Sequence, residues 1–120
     1  MSPQFYQVLH LLGVILLFFS LGGMVLRQFG GVSTGDDGRK AAGITHGVAL
    51  LVLLISGFGL LAKLGLGFPT WIWIKLGLWL LLGAMVVLVR KLPWYAKLWW
   101  VLIPVLGLVA AYLGVFKPAF

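Results

Sequence analysis

Cysteine and glutamate are both absent from this 120-residue chain, and Asp36 and Asp37 are its only acids. Without thiols the chain cannot form internal disulfides, thiolate nucleophiles, iron–sulfur clusters or cysteine zinc sites. Without carboxylates in its apolar stretches it lacks the acidic relay usual in proton-coupled transport, and the ligands of a zinc or two-metal site. Asp36 and Asp37 are adjacent and sit beside glycine. They read as a solvated turn, since an acid–base pair would have to converge across a pocket. Charge of either sign is scarce, at 9% of residues against about 25% in soluble domains.

Apolar residues instead make up 62% of the sequence. About 20 of them in a row, at 1.5 Å rise each, cross a hydrocarbon core of about 30 Å. Four runs meet that length, at about 4–27, 42–63, 71–90 and 97–116, so a single transmembrane domain over 1–120 is expected. The runs are apolar on every face, whereas β-barrel strands alternate polar and apolar residues over about ten positions. The links are short, which makes successive helices antiparallel neighbours. The expected fold class is therefore all-α, an integral membrane antiparallel four-helix bundle.

The net charge of +7 would suggest nucleic acid in a soluble protein. Here the cations flank apolar runs, so membrane lipids are the expected partners and nucleic acid is not. Arg27, Arg39, Lys40, Arg90, Lys91 and Lys97 fall on the side of the first and third links, against Lys63, Lys75 and Lys117 on the other. That asymmetry places both termini on the non-cytoplasmic side. The first run has neither a basic start nor a small-residue cleavage site and reads as a retained helix. Phe5, Tyr6, Trp71, Trp73 and Tyr112 would mark the outer rim, and Trp94, Tyr95, Trp99 and Trp100 the inner one. Gly43 with Gly47, Gly107 with Ala111 and Ala110 with Gly114 form small-xxx-small pairs, Ser56-Gly57-Phe58-Gly59 thins the second helix, and Pro104 predicts a kink in the fourth.

Ionisable residues inside the spans are the candidates for chemistry. His10, Lys75 and Tyr112 fall at similar depth near the outer side and are expected to share a pocket. His10 is either a ligand or a neutral imidazole bonded to a facing helix; Lys75 either lines that pocket or snorkels to headgroups. His46 enters from the inner side near Arg27 and Arg90, and reads as an interfacial cap or a ligand. The two histidines are expected about 15–20 Å apart along the membrane normal, too far to clamp one haem. A haem or porphyrin on His10 would have Lys75 and Tyr112 as pocket partners and Arg27 as carboxylate anchor. The glycine-rich stretch 30–35 lacks the Gly-Lys-Ser/Thr ending of a P-loop.

The order of these features resembles a known group. Leu9-His10 opens the first helix and Arg27 closes it; His46 and Ser56-Gly57-Phe58-Gly59-Leu60-Leu61 mark the second; Trp73-Ile74-Lys75-Leu76 opens the third and Phe116-Lys117-Pro118 closes the fourth. This pattern resembles the small four-helix bacterial membrane proteins of the SirB family and, more distantly, HemJ-like and CopD-like proteins. The resemblance implies a bacterial inner-membrane, multi-pass protein. Its SirB-like branch implies a protein without catalysis of its own, an accessory or structural subunit packed against other membrane proteins or its own copies. The HemJ-like branch implies porphyrinogen oxidation, with a first-helix histidine and third-helix lysine resembling His10 and Lys75, and haem b or another tetrapyrrole as cofactor. HemJ-like proteins read Leu-Pro-Arg where this chain has Val25-Leu26-Arg27. The CopD-like branch implies copper handling, for which Met1, Met24 and Met85 are the only thioethers.

Overall fold

The computed structural model describes residues 2–30, 36–65 and 67–116. These form four helices: α1 (Pro3–Gly30), α2 (Asp36–Leu64), α3 (Thr70–Lys91) and α4 (Ala96–Phe116). Among the described residues there is no strand. Each helix carries a segment long and apolar enough to cross a membrane. The longest dimension, 47 Å, exceeds a hydrocarbon core of about 30 Å.

Helices α1 and α2 extend past the apolar runs that signal them. Asp36 and Asp37, read from the sequence as a turn, are the first residues of α2, which begins six positions before the apolar stretch at 42. The reason is that an apolar run reports where a helix can meet hydrocarbon, while the helix itself ends where its backbone hydrogen bonds end. Residues 31–35 of the glycine-rich stretch, and Lys117 and Pro118, lie outside the described residues.

The α2–α3 link is held by backbone chemistry. Gly65 directly follows α2 with φ of 64°, the left-handed conformation that glycine adopts without a Cβ clash and that commonly ends helices. Pro69, with φ of −67°, then precedes α3, and its carbonyl accepts the Ile72 N–H at 3.0 Å. Between α3 and α4 lies a single 3₁₀ turn, Pro93–Tyr95. The Leu92 carbonyl accepts both the Tyr95 N–H at 3.1 Å and the Trp99 indole N–H at 3.2 Å.

One core joins all four helices. Leu17, Leu21, Met24 and Val25 of α1 repeat at helical spacing, and they meet Ala49 and Leu53 of α2, Leu82, Met85 and Val89 of α3, and Trp99 and Ile103 of α4. A smaller cluster of Trp71, Ile72 and Leu113 closes α3 against α4 near the far end. Trp71 and Trp99 are thus buried packing residues, whereas Trp73, Trp94 and Trp100 are exposed as rim residues would be. Helix α1 is the hub: it touches α2, α3 and α4, while among the described residues α2 and α4 do not meet.

Close approach depends on glycine, at Gly107 of the small-residue pairs and Gly59 of the thin stretch read in the sequence, and also at Gly13, which belongs to neither. A Cβ on Gly13 would come within 2.9 Å of the Leu53 side chain, one on Gly59 would strike the Tyr6 ring, and one on Gly107 would lie 2.6 Å from Phe18. Along α1 and α2, the partners Tyr6–Gly59, His10–Gly57 and Gly13–Leu53 rise on one helix as they fall on the other. Gly47, by contrast, faces open space, and Gly43 faces the Arg90 guanidinium. Pro104 is exposed and α4 continues through it to Phe116.

This packing predicts a contrast between two glycines. Gly107→Leu should destabilise the purified protein by about 1–3 kcal/mol, because the new side chain must displace the Phe18 ring and with it the α1–α4 contact. Gly47→Leu should cost nothing or stabilise slightly, since it fills open space and improves helix propensity. Thermal unfolding of both variants in the same detergent measures the difference.

Candidate functional site

Polar side chains within the apolar helices gather at two levels. At the first, His10 of α1 sits against Ser56 of α2, with His10 Nδ1 2.9 Å from Ser56 Oγ. The Ser56 hydroxyl has one hydrogen, which it donates to the carbonyl of Val52 at 2.6 Å, with Leu53 O a longer second acceptor at 3.2 Å. In the tautomer with the proton on Nδ1, Ser56 Oγ accepts from His10 and the lone pair is on Nε2; the backbone of Leu53 is a further hydrogen-bond partner of the imidazole. Ser56 is fully buried and His10 half-buried. Gly57, one residue on, leaves room for the imidazole, as a Cβ there would stand 3.6 Å from His10 Cε1.

Lys75 comes to the same level from α3. It lies within electrostatic range of His10. Its ammonium reaches toward α4, close enough that a Cβ on Gly114 would be 3.1 Å from Nζ. All four helices therefore contribute to this level: α1 by His10, α2 by Ser56 and Gly57, α3 by Lys75 and α4 by Gly114.

The structure brings His10 and Lys75 together and leaves the other two sequence candidates apart from them. Tyr112 is only two residues from Gly114, yet its side chain is half exposed and packs against Phe116, ring centroids 4.8 Å apart. Arg27 is 17 residues along α1 from His10, about 25 Å at the helical rise, and so belongs to the opposite level.

That second level is cationic. Arg90 donates from Nη2 to the backbone carbonyl of Arg39 at 2.9 Å, passing over Gly43, where a Cβ would lie 3.3 Å away. Arg90 is within electrostatic range of both Arg27 and Arg39. His46 lies inward of this group. Its Nε2 is 3.1 Å from the carbonyl of Leu82, and because a carbonyl only accepts, the proton is on Nε2. At 3% exposure His46 is an internal tie between α2 and α3, not the interfacial cap that its place near the start of the second apolar run suggests.

Two further ties escaped the sequence reading. The Trp79 indole donates to Leu50 O at 3.1 Å, a second link between α3 and α2. Ser20, 3% exposed, donates to Leu17 O of its own helix at 2.8 Å. Ser56 appeared in the sequence only as part of a thin, small-residue stretch. Its spacing of ten residues from His46 on α2 could have flagged it as a partner for a residue at the His10 level.

The same spacing sets the histidines about 15 Å apart along α2, since His10 lies opposite Ser56. One planar cofactor cannot take both as axial ligands. As a donor set for haem or another tetrapyrrole, the first level offers a single suitable nitrogen, His10 Nε2. Among the described residues no group of three or more His, Cys, Asp or Glu side chains is placed to hold a metal ion. No buried side-chain nitrogen or oxygen among them lacks a hydrogen-bond partner. Compared with family models, curated proteins and solved structures, the chain matches none.

The geometry predicts that His10 and Ser56 act as a unit. In a double-mutant cycle, His10→Leu and Ser56→Ala should be coupled by about 0.6–1.7 kcal/mol, the range found for hydrogen bonds between membrane helices. Unfolding measured in mixed micelles gives the coupling, and strictly additive effects would mean that the bond contributes nothing.

Proposed function

We propose that this chain is a small multi-pass protein of the bacterial inner membrane, an antiparallel four-helix bundle without catalysis of its own that serves as an accessory or structural subunit of a larger membrane complex. The observation that carries the reading is the use made of polar groups. His46 and Trp79 tie α3 to α2, His10 ties α1 to α2, and Ser20 and Ser56 return to their own backbone, so the polar side chains hold the bundle together. The opposed order of contacts between α1 and α2 supports antiparallel packing. Gly23, Gly47 and Gly77 are outward-facing with nothing near their Cβ positions, surfaces on which helices of other chains can approach closely. In this reading the arginine level faces the cytoplasm and both termini lie on the other side, in keeping with the six-to-three distribution of cations. The resemblance to the SirB family agrees with it.

A second reading rests on one feature, the lone pair that the Ser56 hydrogen bond leaves on His10 Nε2, with Lys75 at the same level. There the chain would hold haem or another tetrapyrrole through His10, a group that supplies one-electron redox chemistry when bound. That reading takes His10 and Lys75 as its site and gives Tyr112 and Arg27 no part in it.

Mild solubilisation from native membranes separates the two readings. The accessory-subunit reading predicts migration with larger partners on a native gel and no chromophore in the visible spectrum. A chain migrating alone, with a stoichiometric Soret band that shifts on reduction and is lost in His10→Ala but kept in His46→Ala, would establish the tetrapyrrole reading instead.

A further inference from the structure

The apolar segment of α3 ends at Lys91 and that of α4 begins at Ala96, so the four residues between them stand at the edge of the hydrocarbon in the membrane reading. Their backbone is fixed from within: the Leu92 carbonyl holds both the Tyr95 N–H and the indole of the buried Trp99. From Trp99 the rings step outward. Tyr95 lies edge-on to Trp99 with centroids 6.1 Å apart, and Trp94 is 6.1 Å from Tyr95. Tyr95 is 47% exposed and Trp94 72%, so packing inside the bundle accounts for Trp99 and not for Trp94. An exposed lysine flanks the rings on each side, Lys91 at the end of α3 and Lys97 at the start of α4. The chain has no acid after Asp37, and none stands in the first turn of α4. Lys97 therefore sits at the positive end of a helix dipole, a placement that an external anion relieves.

We propose that this link is a headgroup-binding surface for anionic phospholipid, with Trp94 and Tyr95 set in the interfacial layer and Lys91 and Lys97 on lipid phosphates. The proposal rests on the membrane reading above and names the lipid that one link of the bundle selects. An indole or phenol joins an apolar ring to a polar tip and suits the boundary between water and hydrocarbon better than either side of it. Zwitterionic lipid would accommodate the rings and leave the lysines without a net counter-charge. A free anion would answer the lysines and leave the rings in water. Anionic lipid matches both, and each lysine near such a surface contributes about a fivefold preference.

Trp94 supplies the probe. The full-length protein is reconstituted into phosphatidylcholine bilayers containing the same small fraction of nitroxide-labelled phosphatidylglycerol or phosphatidylcholine, the label placed near the headgroup end of an acyl chain. The difference between wild type and Trp94→Phe isolates the Trp94 signal. The expected result is stronger quenching of Trp94 by labelled phosphatidylglycerol, weakened in about 1 M salt, where charges are screened beyond about 3 Å. Lys91→Gln and Lys97→Gln should each lower the preference about fivefold, and together they should remove it. Lys91→Arg and Lys97→Arg, which keep the charge, should keep the preference, as should Lys63→Gln at the end of α2. Equal quenching by the two labels in wild type, a preference that survives the double Gln variant or is lost in Lys63→Gln, or displacement by inorganic phosphate at matched concentration would overturn the proposal. The membrane reading fails separately. A chain recovered with the soluble proteins contradicts insertion, whereas a reconstituted chain that shows no headgroup preference at Trp94 contradicts the lipid surface alone.

Discussion

Hydrocarbon offers no hydrogen bonds, and for four helices apolar enough to span a membrane, in the reading proposed above, that constraint governs where each polar atom can go. A helix meets it for its backbone by bonding to itself. Side chains must find partners on a neighbouring helix or return to their own. The described residues do both: the imidazole of His46 and the indole of Trp79 take backbone carbonyls on facing helices, His10 takes Ser56, and Ser56 in turn takes Val52. With apolar residues both inside and outside the bundle, burial alone discriminates poorly between alternative packings. The few polar bonds and the glycine contacts of Gly13, Gly59 and Gly107 supply that discrimination, because each is satisfied in only one register.

The four helices were legible in the sequence because apolar runs of about 20 residues have few other physical interpretations. Their ends were less so. The start of α2 at Asp36 was hidden because residues 36–40, four of them charged, form its first turn without joining the apolar run. The small-xxx-small pairs found the close contacts in part, at Gly107 against Phe18 but not at Gly47, since the pattern records which residues are small and not which way they face. Gly43 and Gly47 show this, one beneath an arginine and the other facing outward.

Of the candidate site, the shared level of His10 and Lys75 was legible from depth counting, as was the gap between the two histidines. Orientation was not. Tyr112 stands at the right depth on the wrong face, and the partnership of His10 with Ser56 depends on a helix register that only the assembled bundle defines. A carboxylate-anchoring role for Arg27 at His10 does not survive counting along α1, which places Arg27 with the other arginines. The consequence for function is a division of labour. One level spans all four helices with a small polar cluster, and the other gathers positive charge where a membrane surface would supply negative charge.

The proposed threading gives the two levels a direction, and the absence of cysteine from the sequence makes it simple to measure. Single cysteines introduced as Gly67→Cys, in the α2–α3 link, and Lys97→Cys, at the start of α4, report the two ends of the bundle. Treated in intact cells with a membrane-impermeant maleimide, Gly67→Cys should label fully and Lys97→Cys only after the membrane is permeabilised. Labelling of Lys97→Cys in intact cells with protection of Gly67→Cys would invert the proposed threading. Equal labelling of both would contradict a bundle that separates its arginine level from its His10 level across a membrane.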